Sequence, residues 1–390
     1  MGEAYIVEAV RTAGGRRNGA LAGWHPGDLG GEVLNAIVDR TGVDPAAIED
    51  VIVGCVSQIG QQSFQLARNA IFASKLPDSV PGTTVDRQCG SSQQAVHFAS
   101  QAVMSGTQDL IIAAGIESMT RVPMLSPTNV AREAGLGTPW SDRVLKRFGV
   151  TEFSQFNGAE AISEKYGFTR EQLDAYALLS HQRGAKATLE GAFAQEIVPI
   201  AIIDAEGRDV LHIKDEGIRY DASLEAIAKV KTLRPDGHIT AANASQMADG
   251  ASAILIANER AIKAHGLKPL ARIHQMHVHA GDPVIMLEEP IPGTARALEK
   301  AGMTISDIDL YEINEAFAPV PMAWLKVIGA DPEKLNVHGG AIALGHPLGA
   351  TGTKIMATLV HGLHRHGKRY GLQAICEGGG TANVTIIERL

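Results

Sequence analysis

Residues 82–115 read GTTVDRQCGSSQQAVHFASQAVMSGTQDLIIAAG, and the fold class can be inferred from them. A β-rich run at 82–87 is followed by a helical pattern at 90–104 and by a second apolar run at 109–115. Strands that alternate with helices at this spacing are typical of a sheet whose faces are covered by helices. The sequence therefore predicts an α/β fold.

The same alternation continues on both sides of this stretch. Strands are predicted at 4–10, 50–56, 250–257, 270–279, 308–313, 371–376 and 382–388, and helices at 27–40, 63–74, 258–265, 292–302, 317–328 and 348–365. Each alternating region has a cysteine where an apolar strand ends, Cys89 in the first and Cys376 in the second. The shared order of elements indicates two copies of one plan.

Residues 119–246 differ in character from these two regions. They contain Ser-Pro-Thr and Thr-Pro-Trp, two charged helical stretches at 160–166 and 169–190, and a polar β-like portion around 197–220. We interpret them as a large insertion. The predicted organisation is an N-terminal half, an inserted loop domain and a C-terminal half, at 1–118 plus 247–268, 119–246 and 269–390 respectively.

Composition excludes several classes of protein. The chain has 390 residues, 42 Gly and only 3 Cys, and its 35 basic and 43 acidic residues leave a formal net charge of −8. A mildly acidic chain argues against a broad nucleic-acid or anionic-membrane surface. Three cysteines cannot form a disulfide framework, and no apolar run approaches the roughly 18 residues of a membrane span. No signal peptide is recognisable, so we expect a cytoplasmic protein without nucleic-acid or membrane partners.

Cys89 is the strongest single candidate for a catalytic side chain. It precedes a predicted helix, where unsatisfied N–H groups and the positive end of the helix dipole lower the pKa of a thiol and favour the thiolate. The small residues Gly90 and Ser91 leave room for a substrate to approach. A buried structural cysteine is the alternative interpretation, because free cysteines are commonly buried.

Three further motifs contain candidate site residues. His346 stands between Gly345 and Pro347 in GGAIALGHPLGATG, where a neutral imidazole is suited to activating a thiol. Cys376 begins CEGGG, whose glycines can turn backbone N–H groups toward an oxyanion. Asn314 begins NEAFA, where its amide can position a water or donate to an oxyanion. The structural alternatives are a histidine in a turn, a hairpin turn and a helix cap, respectively.

His274, His277 and His279 resemble a metal-binding cluster in their spacing. On the predicted strand, however, residues 277 and 279 share a face and 274 points to the other face. No cysteine or carboxylate lies nearby at ligand spacing, so we expect no metal site.

The four motifs, in this order, resemble those of the thiolases (acetyl-CoA C-acyltransferases). The resemblance covers essentially the whole chain. It implies a duplicated five-layer α-β-α-β-α fold, in which two similar five-stranded halves pack together and a loop domain is inserted into the first. This agrees with the duplication and the insertion inferred from the residues.

The resemblance also implies a role for each motif. Cys89 resembles the nucleophile that becomes an acyl thioester, His346 the base that activates it, and Cys376 the second acid/base. Asn314, through a bound water and together with His346, resembles a first oxyanion hole. The backbone N–H groups of Cys89 and Gly378 resemble a second one.

Four other residues resemble positions that contact the substrate. Ser245 matches the residue that meets the pantetheine of coenzyme A, Arg219 is expected near its nucleotide end, and Ala316 and Phe317 match pocket walls. The implied substrates are coenzyme A and acyl-CoA, with no tightly bound cofactor. The family also implies a homo-oligomer, either a dimer or a tetramer.

One departure from the family bears on the substrate. Acetoacetyl-specific thiolases usually carry a His-Met pair where this chain has Phe156 and Asn157 in SQFNGAE. This stretch, VDRQCGSSQQA and CEGGGTANVT are most similar to actinobacterial degradative thiolases, including those of steroid breakdown. We therefore expect reversible thiolytic cleavage of a bulky or long 3-oxoacyl-CoA. An acetoacetyl-CoA-forming biosynthetic enzyme is the alternative.

Two other functions compete with the thiolase interpretation. A decarboxylating ketosynthase of the same superfamily typically uses Cys with two His, or Cys-His-Asn, and depends on a malonyl thioester. A non-catalytic acyl-CoA carrier predicts loss of Cys89, His346 or Cys376, and all three are present. The remaining cysteine, Cys55, is interpreted as structural.

Overall fold

The computed structural model describes residues 2–390. Within them the chain forms thirteen strands and thirteen α-helices. The strands are β1 (Tyr5–Thr12), β2 (Gly15–Arg16), β3 (Asp50–Gly54), β4 (Gly82–Val85), β5 (Leu110–Ser118), β6 (Ile197–Val198), β7 (Ile200–Ile203), β8 (Asp209–His212), β9 (Ala248–Ala257), β10 (Ala271–Ala280), β11 (Leu310–Ile313), β12 (Tyr370–Glu377) and β13 (Thr381–Arg389). The helices are α1 (Pro26–Thr41), α2 (Leu66–Phe72), α3 (Ser91–Ser105), α4 (Ser126–Glu133), α5 (Asp142–Phe148), α6 (Gln155–Tyr166), α7 (Arg170–Leu189), α8 (Leu224–Ala228), α9 (Glu259–His265), α10 (Pro290–Ala301), α11 (Pro319–Ile328), α12 (Ala341–Leu344) and α13 (Thr351–His366).

The main sheet shows the predicted duplication in its strand order. From the centre outward the first half runs β1-β9-β5-β3-β4 and the second runs β10-β13-β12-β11. In both halves the first strand of the half is central and the last strand of the half lies next to it. The fifth place of the second half holds a single bridge between Tyr311 and Leu335, so that half has four regular strands where the resemblance implied five. The halves join where β1 pairs antiparallel with β10.

Three layers of helices complete the architecture. Helices α1 and α2 pack on the outer face of the first half, α10 and α11 pack on the second, and α3 and α13 lie between the two halves. The central pair is in close contact, since a Cβ atom on Gly352 would lie 2.0 Å from the backbone nitrogen of Gln93. Helix α13 is buried along most of its length because both halves pack on it. The expected order of five layers, α-β-α-β-α, is confirmed.

The segment between β5 and β9 leaves the main sheet and later returns to it. It contains α4 to α8 and the separate β7-β8 hairpin, while its short strand β6 pairs with β1. A buried ion-pair group fastens it to the first strand. There Arg11 contacts Glu196 at 2.5 Å and Asp215 at 2.8 Å, and none of the three side chains is more than 1% exposed. The sequence did not predict α4 and α5, which have no buried residue and thus no core-facing apolar stripe.

Two helix starts differ from their predicted positions for backbone reasons. The helix predicted at 63–74 begins only at Leu66, because Phe64 and Gln65 both have a φ of 54°, a left-handed conformation that cannot continue a helix. The helix predicted at 348–365 opens as a 3₁₀ turn over Leu348–Ala350 before α13 begins. The second of these irregular segments directly follows His346 and Pro347.

Candidate active site

Cys89 lies at the junction of β4 and α3, where the sequence placed it. The preceding residue, Gln88, has a φ of 49°, which makes the turn tight. The turn is closed by Ser91, whose hydroxyl donates to the carbonyl oxygen of Gln88 at 2.6 Å. The thiol is 8% exposed and packs in an apolar cluster with Leu348 and Ile375. The turn therefore presents Cys89 inside the molecule, at the N-terminus of a 15-residue helix.

The pKa of Cys89 contradicts the expectation of a thiol acidified by the helix. Burial raises this pKa to about 12, and the negative charges of Glu377 and Glu117 act in the same direction. Desolvation penalises the thiolate by more than the helix N-terminus stabilises it. Cys89 is consequently a neutral thiol that needs a base to take its proton.

His346 is held at both ring nitrogens by neighbouring side chains. Its Nδ1 lies 2.5 Å from the hydroxyl of Thr351, and its Nε2 lies 3.4 Å from Nδ2 of Asn314. Because Nδ2 of Asn314 can only donate, we assign Nε2 as the acceptor and place the ring hydrogen on Nδ1. Burial, reinforced by the charge of Lys354, lowers the pKa of His346 to about 3, so the ring is neutral. The Nε2 lone pair can accept a proton.

The backbone around His346 is held by two buried charged side chains. Gly345 adopts a φ of 80°. Nζ of Lys354 donates to the carbonyl oxygens of the two residues that precede His346, at 2.5 and 2.8 Å. After the histidine, the N–H of Gly349 donates to Oε2 of Glu117 at 2.9 Å. These bonds fix the orientation of the imidazole from both sides.

Asn314 directly follows β11, and Cys376 is the next-to-last residue of the neighbouring strand β12. The N–H of Asn314 donates to the carbonyl oxygen of Ala374 at 3.0 Å, which holds the two strand ends together. Oδ1 of Asn314 is buried and has no hydrogen-bond partner within residues 2–390. The thiol of Cys376 is fully buried, and its pKa is raised by burial and by the charges of Cys89 and Glu377. The two thiols are therefore close enough for each to affect the ionisation of the other.

The loop after Cys376 packs directly on the Cys89 turn. A Cβ atom on Gly378 would lie 2.9 Å from Oε1 of Gln88. A Cβ atom on Gly90 would lie 1.8 Å from Oε1 of Glu377. At both positions the absence of a Cβ atom leaves room for a side chain to lie against the glycine backbone. The structure thus brings together the five predicted catalytic residues, which are Cys89, His346, Cys376, Asn314 and Gly378.

Three of the four residues predicted to contact substrate are adjacent to one another. The N–H of Ser245 donates to the carbonyl oxygen of Ala316 at 2.9 Å, and the neighbouring Ala244 pairs with Phe317. Arg219 is separate: it lies on the surface of the inserted segment, where its N–H donates to Nδ1 of His181 at 3.1 Å. No hydrogen bond or ion pair within the described chain joins Arg219 to the other predicted site residues.

A cavity of about 330 Å³ lies beside Phe317. Its lining residues are Phe156, Asn157, Glu160, Leu233, Arg234 and Ile239. The ring of Phe156 meets that of Phe317 edge to face, with centroids 5.6 Å apart. The two residues that replace the His-Met pair are therefore walls of a partly apolar cavity next to a predicted pocket residue.

The histidines of β10 are dispersed rather than convergent. His277 and His279 have ring centroids 5.9 Å apart, whereas His274 packs against Tyr370. Across residues 2–390, no group of three or more His, Cys, Asp or Glu side chains is arranged to hold a metal ion. Over the same residues, none of the helices has both the length and the apolar character needed to cross a bilayer.

Sequence reasoning missed three side chains that surround the site. Thr351 and Lys354 act on the His346 loop through contacts that no local pattern indicates. Glu377 did have a signal, because it is the one charged residue of the strand YGLQAICE. A charge in a buried strand is rare enough to mark a position for attention.

Comparison with known proteins identifies the family. The family models described as "Thiolase, N-terminal domain" and "Thiolase, C-terminal domain" match residues 4–260 and 267–389. The chain belongs to the thiolase family. The resemblance inferred from the four motifs is confirmed, and this thiolase is an acyltransferase.

Relatives and solved structures agree with this assignment. This thiolase is 54% identical over 392 residues to steroid 3-ketoacyl-CoA thiolase FadA6 of Mycobacterium tuberculosis. The alignment covers 100% of this chain and 95% of the relative. It is 40% identical to a 3-ketoacyl-CoA thiolase of Aliivibrio fischeri, over 98% of each chain.

Among solved structures, the Bacillus anthracis acetyl-CoA acetyltransferase superimposes with a TM-score of 0.91 at 36% identity, and human mitochondrial 3-ketoacyl-CoA thiolase with 0.89 at 35% identity. Each match covers 100% of this thiolase and 99% of the solved chain.

Proposed function

We propose that this thiolase cleaves a 3-oxoacyl-CoA with coenzyme A, releasing acetyl-CoA and a shortened acyl-CoA. The observation that carries the proposal is the convergence of two thiols, a neutral imidazole and an amide on one buried region. The relatives named 3-ketoacyl-CoA thiolase support the same reaction. Coenzyme A serves as a substrate, and the mechanism needs no bound cofactor.

In the first half-reaction Cys89 gives its proton to Nε2 of His346 and attacks the 3-keto carbon. The C2–C3 bond then breaks, which leaves the enolate of acetyl-CoA and a thioester on Cys89. Cys376 protonates the enolate carbon. The raised pKa of Cys376 suits this step, because a thiol that keeps its proton at neutral pH is available as an acid.

In the second half-reaction the thiol of coenzyme A loses its proton to the Cys376 thiolate and attacks the Cys89 thioester. The C–S bond to Cys89 breaks, the shortened acyl-CoA leaves, and the proton held by His346 returns to Cys89. The chemistry is ping-pong and reversible. Negative charge develops on oxygen in both halves, and the donors proposed for it are Asn314 with His346 and the backbone N–H groups of Cys89 and Gly378. Each such donor contributes about 3–4 kcal/mol to the transition state.

The nucleophile can be tested by intact-mass measurement after incubation with an acyl-CoA. We expect a single acyl adduct that disappears in Cys89→Ala and persists in Cys55→Ala, the matched control. Cys55 is also buried, but its thiol hydrogen-bonds to Glu117 at 3.9 Å and has no part in the proposed chemistry. An adduct that survives in Cys89→Ala would show that another residue is the nucleophile.

The acyl group is proposed to be bulky or long, and the protein to be degradative. The cavity beside Phe317 supports this, because Phe156 and Asn157 give it an apolar wall and an amide where a His-Met pair would stand. A panel of acetoacetyl-CoA, long-chain and cyclic 3-oxoacyl-CoA substrates tests the proposal through kcat/KM. A strong preference for acetoacetyl-CoA would favour the biosynthetic alternative instead, and dependence on a malonyl thioester would indicate a ketosynthase.

We further propose that residues 119–246 form an inserted domain between an N-terminal half (1–118 plus 247–268) and a C-terminal half (269–390). The departure of the chain from the sheet after β5 and its return in β9 support these boundaries. A cytoplasmic homodimer or homotetramer is proposed from the family resemblance. Sedimentation-velocity centrifugation distinguishes the two oligomers.

A further inference from the structure

Glu377 is a buried carboxyl group that the proposed mechanism does not use. It follows Cys376 in β12, so it points to the opposite face of the sheet, toward the central helices. Its Oε1 would lie 1.8 Å from a Cβ atom on Gly90, which places the carboxyl against the residue next to the nucleophile. Oε2 accepts a hydrogen bond from the hydroxyl of Thr381 at 2.7 Å. Oε1 is buried and has no hydrogen-bond partner within residues 2–390.

Ionisation of Glu377 is unfavourable in this position. A carboxylate would leave one charged oxygen in the interior without a donor, which costs more than leaving a neutral group unpaired. Burial accordingly raises the pKa of Glu377 to about 8, although Thr381 and Arg87 act to lower it. In the other direction, the charge of Glu377 raises the pKa of both Cys89 and Cys376. A negative charge on Glu377 thus disfavours ionisation of either thiol.

The other ionisable groups near Glu377 and the two thiols come from three neighbouring elements. The turn between β4 and α3 contributes Asp86 and Arg87, β5 contributes Glu117, and the loop before α13 contributes His346 with Lys354 behind it. Asp86 and Glu117 each accept hydrogen bonds from backbone N–H groups. Oε1 of Glu377 accepts none. Of Asp86, Glu117 and Glu377, only Glu377 has a buried carboxyl oxygen without a hydrogen-bond partner within residues 2–390.

We propose that Glu377 keeps its proton while Cys89 reacts, and that loss of this proton to solvent suppresses the Cys89 thiolate. Glu377 is therefore a positioning residue that acts through Cys89 and does not touch the substrate. The inference rests on the proposed role of Cys89 as the nucleophile. The proposal predicts an alkaline limit. As the pH rises, the rate at which Cys89 reacts stops increasing, or falls, once Glu377 becomes charged.

The test measures how fast iodoacetamide alkylates Cys89 between about pH 6 and pH 10, by mass spectrometry of the Cys89 peptide. Glu377→Gln keeps the shape of the side chain and cannot ionise. We expect its rate to match the wild-type rate within about twofold at pH 7 and to exceed it at least about tenfold at pH 9.5, since a neighbouring like charge shifts a pKa by roughly one unit or more. Thr381→Val removes a hydrogen bond that lowers the pKa of Glu377, so its alkaline limit should move to higher pH.

The possible results of this alkylation experiment have different meanings. A Glu377→Gln profile with the wild-type shape overturns the proposal, even if the rate is lower at every pH, because a uniform loss reports a structural role only. An unmoved limit in Thr381→Val also overturns it, and this variant serves as the test if Glu377→Gln does not fold. If Cys89 is not alkylated in any variant, the assignment of the nucleophile fails instead.

Discussion

Replacing Lys354 by Met would remove a buried cation that holds the backbone before His346. The Lys354 side chain belongs to a residue that is 4% exposed, and Nζ donates to the carbonyl oxygens of Leu344 and Gly345 at 2.5 and 2.8 Å. Burial lowers the pKa of Lys354 to about 8, while the negative charge of Asp215 acts to raise it. Methionine has a similar length and no charge, so the substitution removes the donor with little change in packed volume.

The magnitude follows from these contacts. Hydrogen bonds from a charged donor contribute about 1.5–3 kcal/mol each, but the lowered pKa of Lys354 shows that burial of its ammonium offsets part of this contribution. We therefore expect Lys354→Met to lower the free energy of unfolding by about 1–3 kcal/mol. Because the lost bonds fix the loop that orients His346, kcat should fall about a hundredfold, the usual effect of displacing a catalytic group by roughly 1 Å.

Urea unfolding followed by circular dichroism measures the first effect, with Lys229→Met as the matched control. Lys229 forms an exposed i,i+4 pair with Glu225, and such pairs contribute about 0.5 kcal/mol or less. Loss of the Lys354 charge should also raise the pKa of His346, which moves the acidic limb of the kcat/KM profile to higher pH. A destabilisation below about 1 kcal/mol, equal to that of the control, would refute the reasoning.

Two further substitutions test the proposed oxyanion donor Asn314 and the close packing of Gly349 against Cys55. Asn314→Ala should lower kcat about 10²–10³-fold with little change in KM, because it removes the proposed oxyanion donor, which would act mainly in the transition state. A loss of less than about tenfold in steady-state assays would contradict this. Gly349→Ala would place a Cβ atom 2.5 Å from the Cα of Cys55, so it should cost about 1–3 kcal/mol in thermal unfolding. Gly23→Ala is its control, since nothing lies within 4 Å of a Cβ atom there, and equal effects would exclude steric crowding as the cause.

The parts of the fold that could be predicted are those specified by local patterns. Helix α3 and strand β5 lie within three residues of their predicted bounds, because the periodicity of apolar residues is carried by the segment itself. Helices α4 and α5 were missed because they have no buried face. The single bridge at Leu335, in place of a fifth strand, depends on pairing with a distant segment and has no local signature.

The side chains of the site can likewise be divided into those that the sequence indicates and those that it does not. Cys89, His346, Asn314 and Cys376 could be chosen from the sequence because their four motifs occur together, in the order that resembles the thiolases. Thr351 and Lys354 could not be chosen, since a hydroxyl and an amine on a helix are ordinary until the fold aims them at the His346 loop. Glu377 could be recognised as the one charged residue of its strand, but its contact with Gly90 could not be predicted.

The sequence by itself determined the family, the duplicated plan and the side chains proposed for the chemistry. Only the tertiary structure decided their protonation states. The helix N-terminus predicted an acidic Cys89, yet burial and the carboxyl groups of Glu377 and Glu117 raise its pKa to about 12. A pKa depends on desolvation and on charges that approach through space. The groups that set it here come from strands 28 and 288 residues away along the chain, at distances that no local pattern encodes.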